Sequence, residues 1–146
     1  MENLNATATN LKKIKLDFKE SKYATGRRKK SIAKVWVKKG SGNIYVNGIK
    51  MNEYFKRPVH QIIVTRPLEI SEVRTSYDVR CFVKGGGLSG QAGAIILGIS
   101  KALISHNEDL KKNLKKDKLT TRDSRVVERK KYGHRKARRS FQFSKR

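Results

Sequence analysis

From residue 111 to the end, the chain carries sixteen Lys or Arg against three acids, with almost no aliphatic side chains among them. Such a stretch cannot build a hydrophobic core. Ordering each residue costs about 1–2 kcal/mol of conformational entropy. Leu119, Val126, Val127, Ala137 and a few aromatics bury too little surface to offset that. The tail from Lys115 is therefore expected to be disordered when free, and the fold must be made upstream of it. Residues 1–20 carry a net +1, 21–43 a net +8 with no acid, 44–110 a net +2 and 111–146 a net +13, within a total of +24. The middle of the chain is electrostatically ordinary, and the excess charge sits in one strand-like segment and in the tail. The expected organisation is an N-terminal extension over 1–20, a globular α/β body over 21–115 and an extended basic tail over 116–146.

Within the body, Ser31 to Lys38 alternates Ala33, Val35 and Val37 against Ile32, Lys34, Trp36 and Lys38, which predicts a strand. The basic run Arg27 to Lys30 extends this strand or leads into it. The turn cluster from Lys39 to Asn43 and the short run Ile44 to Val46, ended by Asn47-Gly48, predict an antiparallel hairpin with it. Asn52 is placed to cap a short helix over Glu53 to Lys56, and Val59 to Val64 predicts a second with Val59, Ile62 and Ile63 on one face, broken at Arg66-Pro67. Tyr77, Val79, Cys81 and Val83 alternate with Asp78, Arg80, Phe82 and Lys84, a third strand with one buried face, where Cys81 is a small core residue. Ala92, Ile95, Ile96, Ile99, Ala102 and Leu103 recur at helical spacing and predict the central core helix over about Gln91 to Ser105. Gly93, Ala94 and Gly98 leave its backbone open to close approach. Asn107 ends it and can cap a further helix with Leu110 and Leu114 on one face.

Several function classes are excluded by what is lacking. One cysteine closes no intramolecular disulfide and founds no Cys-rich zinc site, which suggests a reducing compartment. No apolar run reaches the roughly 20 residues of a membrane span, and residues 1–20 have neither a secretory apolar core nor the Arg-rich, acid-poor character of a transit peptide. His60, His106 and His134 are widely spaced without Cys, Asp or Glu at ligand spacing, so no metal site is expected. His60 reads as a surface or cap residue, His106 as a helix-end residue and His134 as part of the tail. No carboxylate pair or nucleophile–base set stands out, so neither catalysis nor a cofactor is expected.

Gly85-Gly86-Gly87-Leu88-Ser89-Gly90 satisfies G-x-G-x-x-G between a predicted strand and a predicted helix. A dinucleotide site is nevertheless disfavoured. The strand alternates instead of being apolar throughout, Glu108 and Asp109 lie at a helix start and not at the end of a second strand, and the chain is too short for two mononucleotide halves. Backbone N–H groups at a helix N-terminus still suit a phosphate on any molecule. Close RNA-backbone approach and simple tight packing both remain open for this loop.

A basic tail can be no more than a solubilising device. This one, however, interleaves Arg-rich clusters (Arg135, Lys136, Arg138, Arg139) with Tyr132, Phe141 and Phe143. Phosphate forks and stacking surfaces serve nucleic-acid binding and are not needed for solubility.

Tyr23-Ala24-Thr25-Gly26-Arg27-Arg28-Lys29, Lys84 through Ala94, Thr121-Arg122-Asp123-Ser124-Arg125, Val127 through Lys131, Arg135 through Arg139 and the closing Phe141-Gln142-Phe143-Ser144-Lys145-Arg146 together resemble the ninth small-subunit ribosomal protein family in its bacterial form. The match runs in order from about Tyr23 to the last residue. The resemblance implies a two-layer α/β body with a left-handed βαβ crossover, against the usual right-handed preference. It also implies a structural role in the head of the small subunit, with the body on ribosomal RNA and the tail threaded towards the peptidyl site. The expected ribosomal-RNA contacts are Arg27, Arg28, Lys29, Lys30, Lys84, Gly86, Gly87, Arg122, Arg125, Arg129, Lys130, Lys131, Arg135, Lys136, Arg138 and Arg139. Ser144, Lys145 and Arg146 are expected to reach peptidyl-site transfer RNA, and neighbouring head proteins are the other expected partners. A bacterial cytoplasm and a mitochondrial or plastid matrix are equally compatible locations. His134 and Ile95-Ile96-Leu97 depart from the family's usual residues, and the apolar trio suggests an additional protein neighbour over that helix. The competing reading is a general nucleic-acid-binding or RNA-chaperone protein, which the composition fits equally well.

Overall fold

The computed structural model describes residues 19–145. Of the expected extension over 1–20, all but the last two residues lie outside that range, as does Arg146. In chain order the elements are β1 (Lys22–Arg28), β2 (Ser31–Lys39), β3 (Ile44–Val46), β4 (Ile49–Lys50), α1 (Met51–Tyr54), α2 (Pro58–Ile70), β5 (Tyr77–Lys84), α3 (Leu88–His106) and α4 (Leu110–Lys116). The strands form one mixed sheet in the order β1-β2-β5-β3-β4. This is an α+β body with helices on the sheet's apolar face.

The alternating residues build that face. Ala33, Val35 and Val37 of β2 and Val79, Cys81 and Val83 of β5 are buried beneath α3, whose Ala92, Ala94, Ile95, Ile99, Ala102 and Leu103 complete the core. α3 also packs on β1, α2 and α4. It is long and apolar enough to cross a membrane by length and composition, but most of its apolar residues are buried inside this core. Burial pushes the Cys81 thiol far up from its ordinary pKa, in keeping with an inert core residue.

The surface that α3 leaves open to close approach is filled by β1. The bare Cα of Gly26 faces the carbonyl of Ala94 and the amide of Gly98, so strand and helix meet backbone to backbone. β1 was not expected as a strand of its own: it pairs antiparallel with β2 from Lys22↔Val37 to Arg28↔Ser31, and Lys29-Lys30 is the turn, with Lys29 at φ 51°. The basic run 27–30 is therefore a hairpin tip and not the lead-in to β2.

The predicted β2–β3 hairpin is also corrected. β5 inserts between the two strands, antiparallel to β2 and parallel to β3. Its Asp78 carboxylate accepts the amides of Ser41 (3.0 Å) and Asn43 (2.8 Å), which holds the 40–43 turn across the end of β5. At the other end of β3, Asn47 accepts the Val83 amide (2.8 Å) and donates to the Val83 carbonyl (3.1 Å), so its side chain continues the ladder after the main chain turns away. The β3–β5 connection carries α1 and α2 and makes a βαβ unit.

α2 does not stop at Arg66-Pro67: Pro67 lies inside it, fully buried beside Leu68. Over the longer helix the inner face becomes His60, Val64, Pro67 and Leu68, at spacings of four, three and one. This turns Val59 and Ile62 outward, at 64% and 62% exposure. His60 is accordingly buried against the edge of the Phe55 ring instead of capping the surface. Ile95 and Leu97 are covered by this chain's own body, so they are not free for a further protein neighbour, and only Ile96 is half-buried.

Candidate nucleic-acid interface

The hairpin tip, the glycine loop and the root of the tail converge. Gly85 and Gly86 follow β5 with φ of 76° and 61°, in the left-handed region that costs glycine nothing. The turn they make is pressed on the start of β2, where the Ser31 hydroxyl donates to the Gly85 carbonyl at 3.0 Å, and a side chain at Gly86 would collide with that hydroxyl. Tight packing thus accounts for the first two glycines. Gly87 has open space around its Cα and caps the N-terminus of α3.

The tail is attached to this corner by one carboxylate. Asp123 accepts from Arg28 through Nε (3.2 Å) and Nη2 (3.1 Å), 95 residues away in sequence. Arg125 closes on the same carboxylate through Nε (3.0 Å), Nη2 (2.9 Å) and its own amide (3.1 Å). The Arg125 guanidinium, with Arg28 adding to it, holds the Asp123 carboxyl well below the usual carboxylate range. Arg28 reaches Asp123 by lying across α3 at Gly93, where any side chain would meet its Cδ. Asp123 is the residue of this corner that sequence reasoning missed. It stood in plain view within the basic motif, but a lone acid there carries no sign of its distant partner.

With the root fixed, residues 126–129 run beside the hairpin tip. Lys29, Lys30, Gly86, Gly87, Val126, Val127, Glu128 and Arg129 line one open groove of about 450 Å³. Five of the expected RNA-contact residues therefore meet in one concavity, with Arg28 and Arg125 beside them in the adjoining hollow. The groove's lining is mostly apolar, and Lys29, Lys30 and Arg129 border it together with Gly87, the N-cap of α3, residue types that suit a phosphodiester backbone. Glu128 is its one acid. It is taken by Lys131 (2.9 Å) and Arg138 (2.9 Å), which hold its carboxyl below the ordinary range.

The other expected contacts lie outside the groove. Lys84 projects from the open face of the sheet, paired in register with Ile32. Arg122 and Lys130 are exposed on the tail, which has no helix or strand after Lys116 among the described residues. Farther on, the Arg135 amide donates to the Arg139 carbonyl (2.8 Å), and its guanidinium stands 5.3 Å from the centre of the Phe141 ring. Lys136, Arg139, Ser144 and Lys145 are exposed, the last two on the extended terminal stretch. The family model described as Ribosomal protein S9/S16 matches residues 26–146 of the chain.

Proposed function

The chain belongs to the ribosomal protein S9/S16 family, and on that premise we propose that its groove and tail form one continuous grip on folded RNA, with the tip of the tail reaching the transfer RNA in the peptidyl site. The family makes it a structural protein of the small ribosomal subunit that binds ribosomal RNA, and not an enzyme. The observation that carries the finer reading is the convergence of Lys29, Lys30, Gly86, Gly87 and Arg129 on one groove, with the tail root latched beside it through Asp123. In this reading the groove seats one stretch of head ribosomal RNA on the body of a bacterial-type small subunit. The latch starts the tail in a set direction, and Arg135 to Arg139 neutralise further phosphates on the way to Ser144, Lys145 and Arg146. Positive residues along an extended strand suit this, since each phosphate neutralised releases counterions and adds affinity without requiring a packed core.

The test is sucrose-gradient fractionation of a lysate at moderate and then high salt, with the protein followed by mass spectrometry. Near-stoichiometric cofractionation with small subunits that survives high salt is expected of a tail locked into RNA, and loss of that high-salt hold is expected on changing Lys29 and Lys30 to Gln. Migration with free nucleic acid or light fractions at both salts would instead support a general RNA-chaperone protein.

A further inference from the structure

The face of the sheet turned away from α3 has its own chemistry. Across it, Tyr23, Trp36, Arg80 and Tyr45 are paired in register on β1, β2, β5 and β3, and Lys34 is paired with Phe82 one step along. The rings of Tyr23 and Trp36 lie 5.2 Å apart, and the Arg80 guanidinium lies 5.9 Å from the centre of the Trp36 ring. Phe82 is the diagonal neighbour of Trp36, a separation of about 7–8 Å in a sheet. Tyr23 and Phe82 are 48% and 54% exposed, although each could have been a β-branched or polar residue at no cost to the core.

The charge of this face selects its occupant. Lys34, Lys38 and Lys84 stand on it, and Asp78, in register with Lys38, accepts from the amides of Ser41 and Asn43. The centre of a protein–protein interface is depleted in lysine, whereas aromatic rings spaced among cations suit unstacked bases and their phosphates. A continuous duplex keeps its bases stacked on one another and offers no ring face. We infer that this open face is a stacking platform for unpaired RNA bases, with the exposed rings of Tyr23 and Phe82 taking the bases on either side of Trp36, and Lys34 and Lys84 the flanking phosphates. It is separate from the groove, which has no aromatic residue in its lining.

Trp36 is the only tryptophan in the chain, so its emission reports on this face alone. The experiment titrates the full chain with an end-labelled oligouridylate, reading total binding by anisotropy and occupancy of the face by Trp36 quenching. Saturable quenching is expected. Phe82→Ala and Tyr23→Ala should each weaken the affinity read by quenching by between about 5- and 140-fold, the range for losing one base–aromatic stack. Phe82→Tyr and Tyr23→Phe should retain it. Both side chains are half exposed, so their loss leaves the core intact. Changing Lys29 and Lys30 to Gln should lower total binding and leave the quenching affinity nearly unchanged, which separates failure of this platform from failure of the groove. Binding by anisotropy with Trp36 emission unmoved would overturn the inference, showing that the tail alone holds the RNA or that another segment or protein occupies the face. Quenching indifferent to both alanine variants would overturn it equally.

Discussion

Gly26→Ala is a one-methyl change whose sign tests how the hairpin that carries the basic tip is held to the body. Gly26 does not use a left-handed φ, so alanine costs nothing in local conformation there. By reducing the freedom of the unfolded chain it would normally stabilise by about 0.4–1 kcal/mol. The new methyl, however, would be driven into the Ala94 carbonyl and the Gly98 amide, and neither is a side chain that can turn aside. Overpacking of this kind costs about 1–3 kcal/mol, and rigid partners on both sides put it at the upper end. The balance is a net loss of about 2 kcal/mol, or a fall in melting temperature on the order of 10 °C for a body of this size. Two companions calibrate it. At Gly98 the methyl would meet a methyl of Val35 at 2.5 Å, and at Gly93 the far end of Arg28. Both lie within α3, where alanine gains about 1 kcal/mol over glycine. Val35, however, is a stiff, fully buried side chain that cannot swing aside, so Gly98→Ala should lose about 1 kcal/mol net, while the flexible Arg28 can shift and Gly93→Ala should be slightly stabilising. Thermal unfolding followed by circular dichroism reads all three. A Gly26→Ala protein that melts at or above the parent temperature would refute the backbone-to-backbone contact between β1 and α3.

Other outcomes follow from the same geometry. Changing Lys29 and Lys30 to Gln should lower the slope of log affinity against log salt by up to about two units for structured RNA, and an unchanged slope would mean both charges stay solvated. Deleting Ser144 to Arg146 should leave subunit assembly largely intact while weakening retention of transfer RNA, and an equal loss of assembly would make the tip structural. Cys81, buried with its thiol pKa pushed up, should resist iodoacetamide at pH 8 in the native protein and react once urea unfolds it; rapid native labelling would mean the sheet opens. Asp123 is held below the usual carboxylate range, so its hold on Arg28 should be fully present above about pH 4 and lost only as pH falls through its lowered value. A fluorescence-transfer pair on body and tail should therefore be flat from pH 5 to 8, and separation anywhere in that window would contradict the latch.

Residues that alternate, or that recur at helical spacing, were readable without a structure: β2, β5, α3 and the Leu110–Leu114 face of α4 are where the pattern places them. β1 was not readable because it has almost no apolar face, Gly26 being its only buried residue; it is held by the absence of a side chain, which hydrophobic patterning cannot register. The partner of β3 was misread because a short turn between neighbouring strands favours a hairpin, whereas the deciding contact, Asp78 with the 40–43 turn, spans 35 residues or more. In α2 the stop at Pro67 follows a sound local rule, overridden by the burial of Pro67 and Leu68. Once the helix is thirteen residues long its inner face rotates onto His60. At the groove, the basic residues were singled out one at a time by the family resemblance. Their meeting was not, since it depends on Arg28 crossing α3 to Asp123.

β5 occupies the middle of the sheet, yet it is the last strand in the chain. Synthesis from the N-terminus therefore delivers two outer pieces first, β1–β2 and β3–β4, neither of which is stable in water as an isolated two-stranded ribbon. Both wait for residue 84 to join them, and the face they share stays uncovered until α3 has followed. The tail comes last of all, with a net +10 over residues 116–146. The direction of translation thus puts self-assembly ahead of capture: every residue of the body has emerged before the segment that RNA attracts most strongly. A circular permutant with the tail placed first would reverse that order and expose the charge to nucleic acid while the sheet still lacked its central strand.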